Sequence, residues 1–85
     1  MKMYILMESF MLQNSTFLHR NVKAISSSRE KIEKKLSERK NEILSLSNEG
    51  DFTYVEKQSF TLKSSNRVTG ETLTHILMIE EHEAL

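Results

Sequence analysis

Residues 26–50, "SSSREKIEKKLSERKNEILSLSNEG", carry the start and stop signals of one amphipathic helix, and the rest of the chain must be arranged around it. Ser27 and Glu30 form an S-x-x-E pattern in which each side chain can satisfy a backbone N–H left unpaired by the first turn. Ile32, Leu36, Ile43 and Leu44 recur at helical spacing, with Leu46 near the end, and make one apolar stripe. Asn48 and Gly50 then supply residues that tolerate the left-handed conformation common at helix ends. The expected helix covers residues 28–47.

The flanks have a different period. Met3–Phe10 is a short unbroken run containing β-branched and aromatic residues, which reads as a strand. A polar break follows at Gln13-Asn14-Ser15-Thr16, and a second strand is expected over residues 17–25. Beyond Gly50 the apolar residues Phe52, Tyr54, Phe60 and Leu62 share one parity, so residues 52–63 read as one long or bulged strand. "SSNRVTGE" is a loop in which Gly70 suits a turn needing positive φ, and residues 72–81 form the last strand, in a hairpin with 52–63. The expected fold is a single α+β domain over residues 1–85. It has two layers: one helix on an antiparallel sheet of three to four strands, in β-β-α-β-β order.

Two of these strands are apolar on both faces. Met3, Ile5 and Met7 alternate with Tyr4 and Leu6, and Leu73, Leu77 and Ile79 alternate with Ile76 and Met78. Such strands need cover on both sides, and one helix covers one. A second copy of the chain is the simplest cover for the other, which predicts a homodimer. The competing arrangement folds residues 10–18 over that face.

Composition narrows the function. Of the 85 residues, 38% are hydrophobic and 28% charged, which suits a folded chain. There is no cysteine, so disulfides, thiolate metal sites and cysteine nucleophiles are excluded together, and a cytoplasmic setting is expected. The apolar run Met3–Met7 is interrupted by Glu8 and is too short for a signal peptide or a membrane span, so no membrane partner is expected. With only Gly50 and Gly70, no glycine-rich phosphate loop exists, and no G-x-S-x-G, H-E-x-x-H or EF-hand pattern is present. The acidic residues of the helix alternate with Lys and Arg, as surface ion pairs do. No catalytic, cofactor-binding or metal site is expected.

The three histidines stand in different surroundings. His75 shares parity with Leu73 and Leu77 and reads either as a general base or ligand, or as a core-edge residue with one hydrogen bond. His82 stands among Glu80, Glu81 and Glu83, but consecutive strand residues point to opposite faces and make a poor metal cage. His19 is isolated beside Arg20.

The net charge is zero but unevenly placed: residues 19–43 carry +4 and the remainder −4. Two candidate interaction surfaces follow. The basic helix face around Lys31, Lys34, Lys35 and Arg39 suits an acidic protein or, as the alternative reading, nucleic acid. An open sheet face bearing Tyr4, Leu6, Ile76 and Met78 suits an apolar partner. The expected function is a non-catalytic protein-interaction or accessory module that dimerises through its sheet.

The segments "YILMESF", "VKAISSSREKIEKKL" and "HILMIEE" together resemble a group of small bacterial and phage proteins of unknown function. In these, an aromatic-aliphatic strand ends in an acidic residue, a second strand runs through serines into a Glu- and Lys-rich helix, and the last strand ends in Ile-Glu. The resemblance implies the β-β-α-β-β fold and no catalytic residues.

Overall fold

The computed structural model describes residues 1–12, 17–46, 50–65 and 68–83. The polar break at 13–16, the helix-ending Asn48 and part of the 64–71 loop lie outside the described residues. Strand β1 (Lys2–Leu12) and strand β2 (Phe17–Ser26) precede helix α1 (Arg29–Leu46), and strands β3 (Asp51–Val55), β4 (Ser59–Ser65) and β5 (Thr72–Glu83) follow it. All five strands join one antiparallel sheet in the order β2-β1-β5-β4-β3, with the helix on one face. The two longest strands, β1 and β5, are therefore central, paired along their length from Lys2 opposite Glu83 to Leu12 opposite Leu73.

The sheet has five strands, where three to four were expected, because residues 52–63 do not form one strand. A turn at 56–58 breaks them into a β3–β4 hairpin, closed by the Gln58 N–H donating to the Val55 carbonyl at 3.0 Å. Lys57 holds this turn at φ 63°, a left-handed conformation in a residue other than glycine, so no glycine, asparagine or proline marks the turn in the sequence. Across this hairpin Phe52 faces Leu62 and Tyr54 faces Phe60, which keeps the four on one side of the sheet as their parity requires.

The helix begins one residue later than its capping pattern predicts. Ser28, not Ser27, is the N-cap: its Oγ accepts from the Lys31 N–H at 3.4 Å, and its carbonyl accepts the first helical bond, from the Ile32 N–H, at 3.3 Å. Glu30 then stands at the second helical position, exposed, where a negative charge still suits the helix N-terminus. At the other end Gly50, at φ 139°, carries the chain into β3. A Cβ there would sit 2.8 Å from the Lys63 carbonyl oxygen, so both conformation and space require glycine.

The core lies between helix and sheet. Ile32, Leu36 and Ile43 from α1 meet Leu6, Phe60, Leu62 and Leu77 from three neighbouring strands, with Tyr4, Ala24, Leu44, Tyr54 and Ile79 at its edge. Each fully buried aliphatic or aromatic side chain contributes about 1.5–3 kcal/mol from removal of apolar surface from water, an upper value because unfolded chains are partly collapsed.

Candidate functional site

The register settles which side of each strand the helix covers. Along β1, Tyr4, Leu6, Glu8 and Phe10 face α1; along β5, Leu73, His75, Leu77 and Ile79 do. Tyr4 and Leu6 are thus not open-face residues. Leu6 is 1% exposed in the core, and the Tyr4 ring packs at the core edge with the Arg29 guanidinium 5.7 Å from its centre. Ile76 and Met78 do lie on the opposite face, Met78 beside Met7 and Ile76 beside Ser9. Parity alone could not assign the faces, because both faces of β1 and β5 are apolar.

The opposite face is left uncovered by every described element. It carries Met3, Ile5, Met7 and Met11 from β1, Ile76 and Met78 from β5, and Val55 from β3. Strand β2 adds both Val22 and Ile25, whose odd separation would place them on opposite sides of a regular strand. A β-bulge restores them to one side: the register steps from Leu6–Ala24 to Met7–Val22, leaving Lys23 as the extra residue. Val22, Ile25, Val55 and Met78 are each between 45% and 59% exposed. Charge on this face is sparse: Arg20 donates to Glu80 at 3.0 Å, His82 lies 3.1 Å from Glu80, and Lys63 stands opposite Asp51 in the register at the far margin. Residues 10–18 do not fold over this face where they are described: residues 10–12 and 17–18 belong to β1 and β2 within the sheet, and residues 13–16 lie outside the described residues.

The covered face contains the reverse oddity, a carboxylate in the core layer. Glu8 is 3% exposed. Arg39 grips it bidentately, Nε donating to Oε1 at 2.7 Å and Nη2 to Oε2 at 3.2 Å, while Nη1 donates to the exposed Glu42 at 2.9 Å. Lys23, swung inward by its bulge, brings Nζ within 3.8 Å of Glu8 Oε2. His75 Nε2 stands 3.5 Å from Glu8 Oε1 without making a hydrogen bond, and its ring stacks on Phe10 with centres 4.2 Å apart.

These neighbours set the protonation states. Burial alone would raise the Glu8 carboxyl, but the hydrogen bonds and charge of Arg39, with His75 and Lys23, outweigh it and hold Glu8 below the ordinary carboxylate value. The hydrogen bond to Glu8 raises Arg39 above its usual value. Burial lowers His75, with Arg39 and Lys23 adding to the effect and Glu8 opposing it, so the imidazole is neutral at pH 7. Sequence parity aligns His75 with Leu73 and Leu77 but gives no sign of the pairing of Glu8 with Arg39, 31 residues apart. The available signal was a lone acidic residue at a core parity.

The basic helix face is less basic than its sequence. Arg39 turns inward to Glu8, Lys35 pairs with Glu38 at 3.8 Å, and Lys40 lies 4.0 Å from the centre of the Tyr54 ring. Lys31 and Lys34 are exposed. Among the described residues no group of three or more His, Asp and Glu side chains is placed to hold a metal ion, and no helix is long and apolar enough to cross a membrane. Compared with known proteins, the chain matches no family, no curated protein and no solved structure.

Proposed function

We propose that this chain is a non-catalytic interaction module that pairs with a second copy of itself through the open face of its sheet. The observation that carries this reading is the uncovered apolar face: nine aliphatic or Met side chains on one side of a sheet whose other side is already packed. A two-fold interface sets a patch against itself, so any net charge on it would repel its own copy. Here the central charges, Arg20 and Glu80, cancel within one chain. The molecule measures 48 by 25 Å in its two longer dimensions, which leaves room for the roughly 800 Å² per partner that a stable interface buries. Methionine is the side chain best able to repack against a copy of itself, being unbranched and polarisable.

Nucleic acid on the helix has less support. One of its four basic residues is committed to Glu8 and another to Glu38, and no aromatic side chain lies among them to stack on bases.

The test is the molecular mass in solution, by sedimentation or light scattering across a concentration series. The parent should run as a dimer, and Met78→Glu as a folded monomer with unchanged helical circular dichroism. A parent that stays monomeric at high micromolar concentration sinks the proposal.

A further inference from the structure

Beside the Glu8–Arg39 pair, between the second half of α1 and the ends of β1, β4 and β5, lies a cavity of about 240 Å³. We propose that it binds a small monocarboxylic acid with an apolar tail, the acid group at Arg39 and His75 and the tail running toward Leu46. The proposal stands on the distribution of chemistry around the cavity and is independent of how the sheet assembles.

The walls divide into two parts. Phe10, Ile43, Leu46, Leu62 and Leu73 are apolar; Arg39, His75 and Ser64 are polar, and each can donate a hydrogen bond. Among the described residues no carboxylate lines the cavity: Glu8 and Glu42 engage Arg39 but are not part of its walls. A second cavity on the other side of Arg39 is lined by Glu38 and Glu42 and lacks this polarity. Three of the five guanidinium N–H groups are used by Glu8 and Glu42, which leaves two for a ligand. An acid group gains charge-assisted bonds there, whereas a cation would face Arg39 with no counter-charge in the wall.

The direction follows from the helix. Arg39 and Leu46 are seven residues apart, about 10 Å along the axis. The end of the cavity near Leu46 adjoins the helix C-terminus, whose carbonyls disfavour an anion, so the acid group belongs at the Arg39 end. An engineered cavity of about 150 Å³ in another protein holds benzene, so this volume suits an acid of about six to eight carbons.

His75 gives the site a signature. The charged groups facing its ring are Glu8 from β1, Lys23 from β2 and Arg39 from α1. A bound carboxylate adds a second negative charge beside the imidazole and favours its protonation. Acid binding should therefore tighten as pH falls from 7 through the range in which the ring takes up its proton, which burial places below the ordinary histidine value in the empty site.

The experiment is a ¹H–¹⁵N NMR titration of the full chain with hexanoate and, separately, 1-hexanol. Hexanoate should produce saturable shifts at Phe10, Ser64 and His75 and at the Arg39 Nε–H. It should bind about tenfold or more tightly than hexanol, the value of a hydrogen bond to a charged group. Ser64→Leu, which fills the cavity and leaves the Glu8–Arg39 pair intact, should remove the shifts while preserving the parent spectrum. Leu73→Trp repeats the test from the neighbouring strand, and His75→Gln should bind hexanoate without the tightening that the parent shows as the pH is first lowered from 7. The proposal is overturned by hexanoate shifts that do not saturate in the millimolar range, by equal affinity for hexanol, or by unchanged binding in both filled variants.

Discussion

The two faces of this sheet hold each other's expected contents. The face under the helix, largely shielded from solvent, contains an ionised glutamate; the face toward solvent contains nine aliphatic or Met side chains and almost no net charge. The covered oddity is satisfied within the chain, because Arg39 and Lys23 supply partners for Glu8. The uncovered one is not. A buried charge can find its complement inside one small domain, whereas the open apolar face has none among the described elements.

The largest expected effect breaks the covered face. Arg39→Ala leaves Glu8 buried without its main partner and should cost about 3–5 kcal/mol in denaturant unfolding. The double variant Glu8→Met with Arg39→Met should recover most of that loss, and a double variant as weak as Arg39→Ala would mean that the pair acts through more than charge. Next, neighbours in sequence should behave unlike each other. Leu6→Ala removes core and should cost about 2–5 kcal/mol at any protein concentration. Met7→Ala, on the open face, should cost under about 1 kcal/mol in the monomer and show its main effect in the dimer dissociation constant. Equal losses in both would erase the distinction between the faces.

Acid should act on the covered face through Glu8 and His75. Glu8 titrates below its unfolded value, so its contribution is present above pH 4.5 and is lost as pH falls through its folded value. His75 also titrates below its unfolded value, so the neutral buried ring is at no disadvantage above pH 6.5 and becomes destabilising as pH drops below that. Both groups give the same sign, and unfolding followed from pH 7 downward should show stability falling, by at most about 1.4 kcal/mol per pH unit for each. His75→Gln should flatten the upper part of that curve. The smallest effect lies on neither face: Ser28→Ala should cost about 1 kcal/mol through loss of the cap, while Ser27→Ala should be nearly neutral.

The sequence contained more of this fold than of its polarity. The helix was legible because Ile32, Leu36 and Ile43 mark one stripe and serines precede it, although three consecutive serines hid which of them caps. The β3–β4 turn was not legible, since Lys57 takes a left-handed conformation that its residue type does not advertise. Nor was the choice of face. Alternation separates Leu6 from Met7 but cannot say which of them meets the helix, and the bulge at Lys23 reverses the parity of everything before it in β2. The cluster around Glu8 depends on contacts 15, 31 and 67 residues away in sequence, which no local pattern encodes.

That bulge also bears on how large an assembly can become. A sheet has two kinds of free boundary, its margins and its faces, and growth along the margins has no natural stopping number. The margins here are irregular: β3 is five residues long, and β2 breaks register at Lys23 and again near Leu18. Neither presents a straight ladder for another strand to continue. The open face is finite, and in the pairing proposed above two faces would meet and leave none over. The extra residue at Lys23 therefore does more than aim a lysine at Glu8: it breaks the regularity of one margin of the sheet, where an open-ended fibre would have to grow.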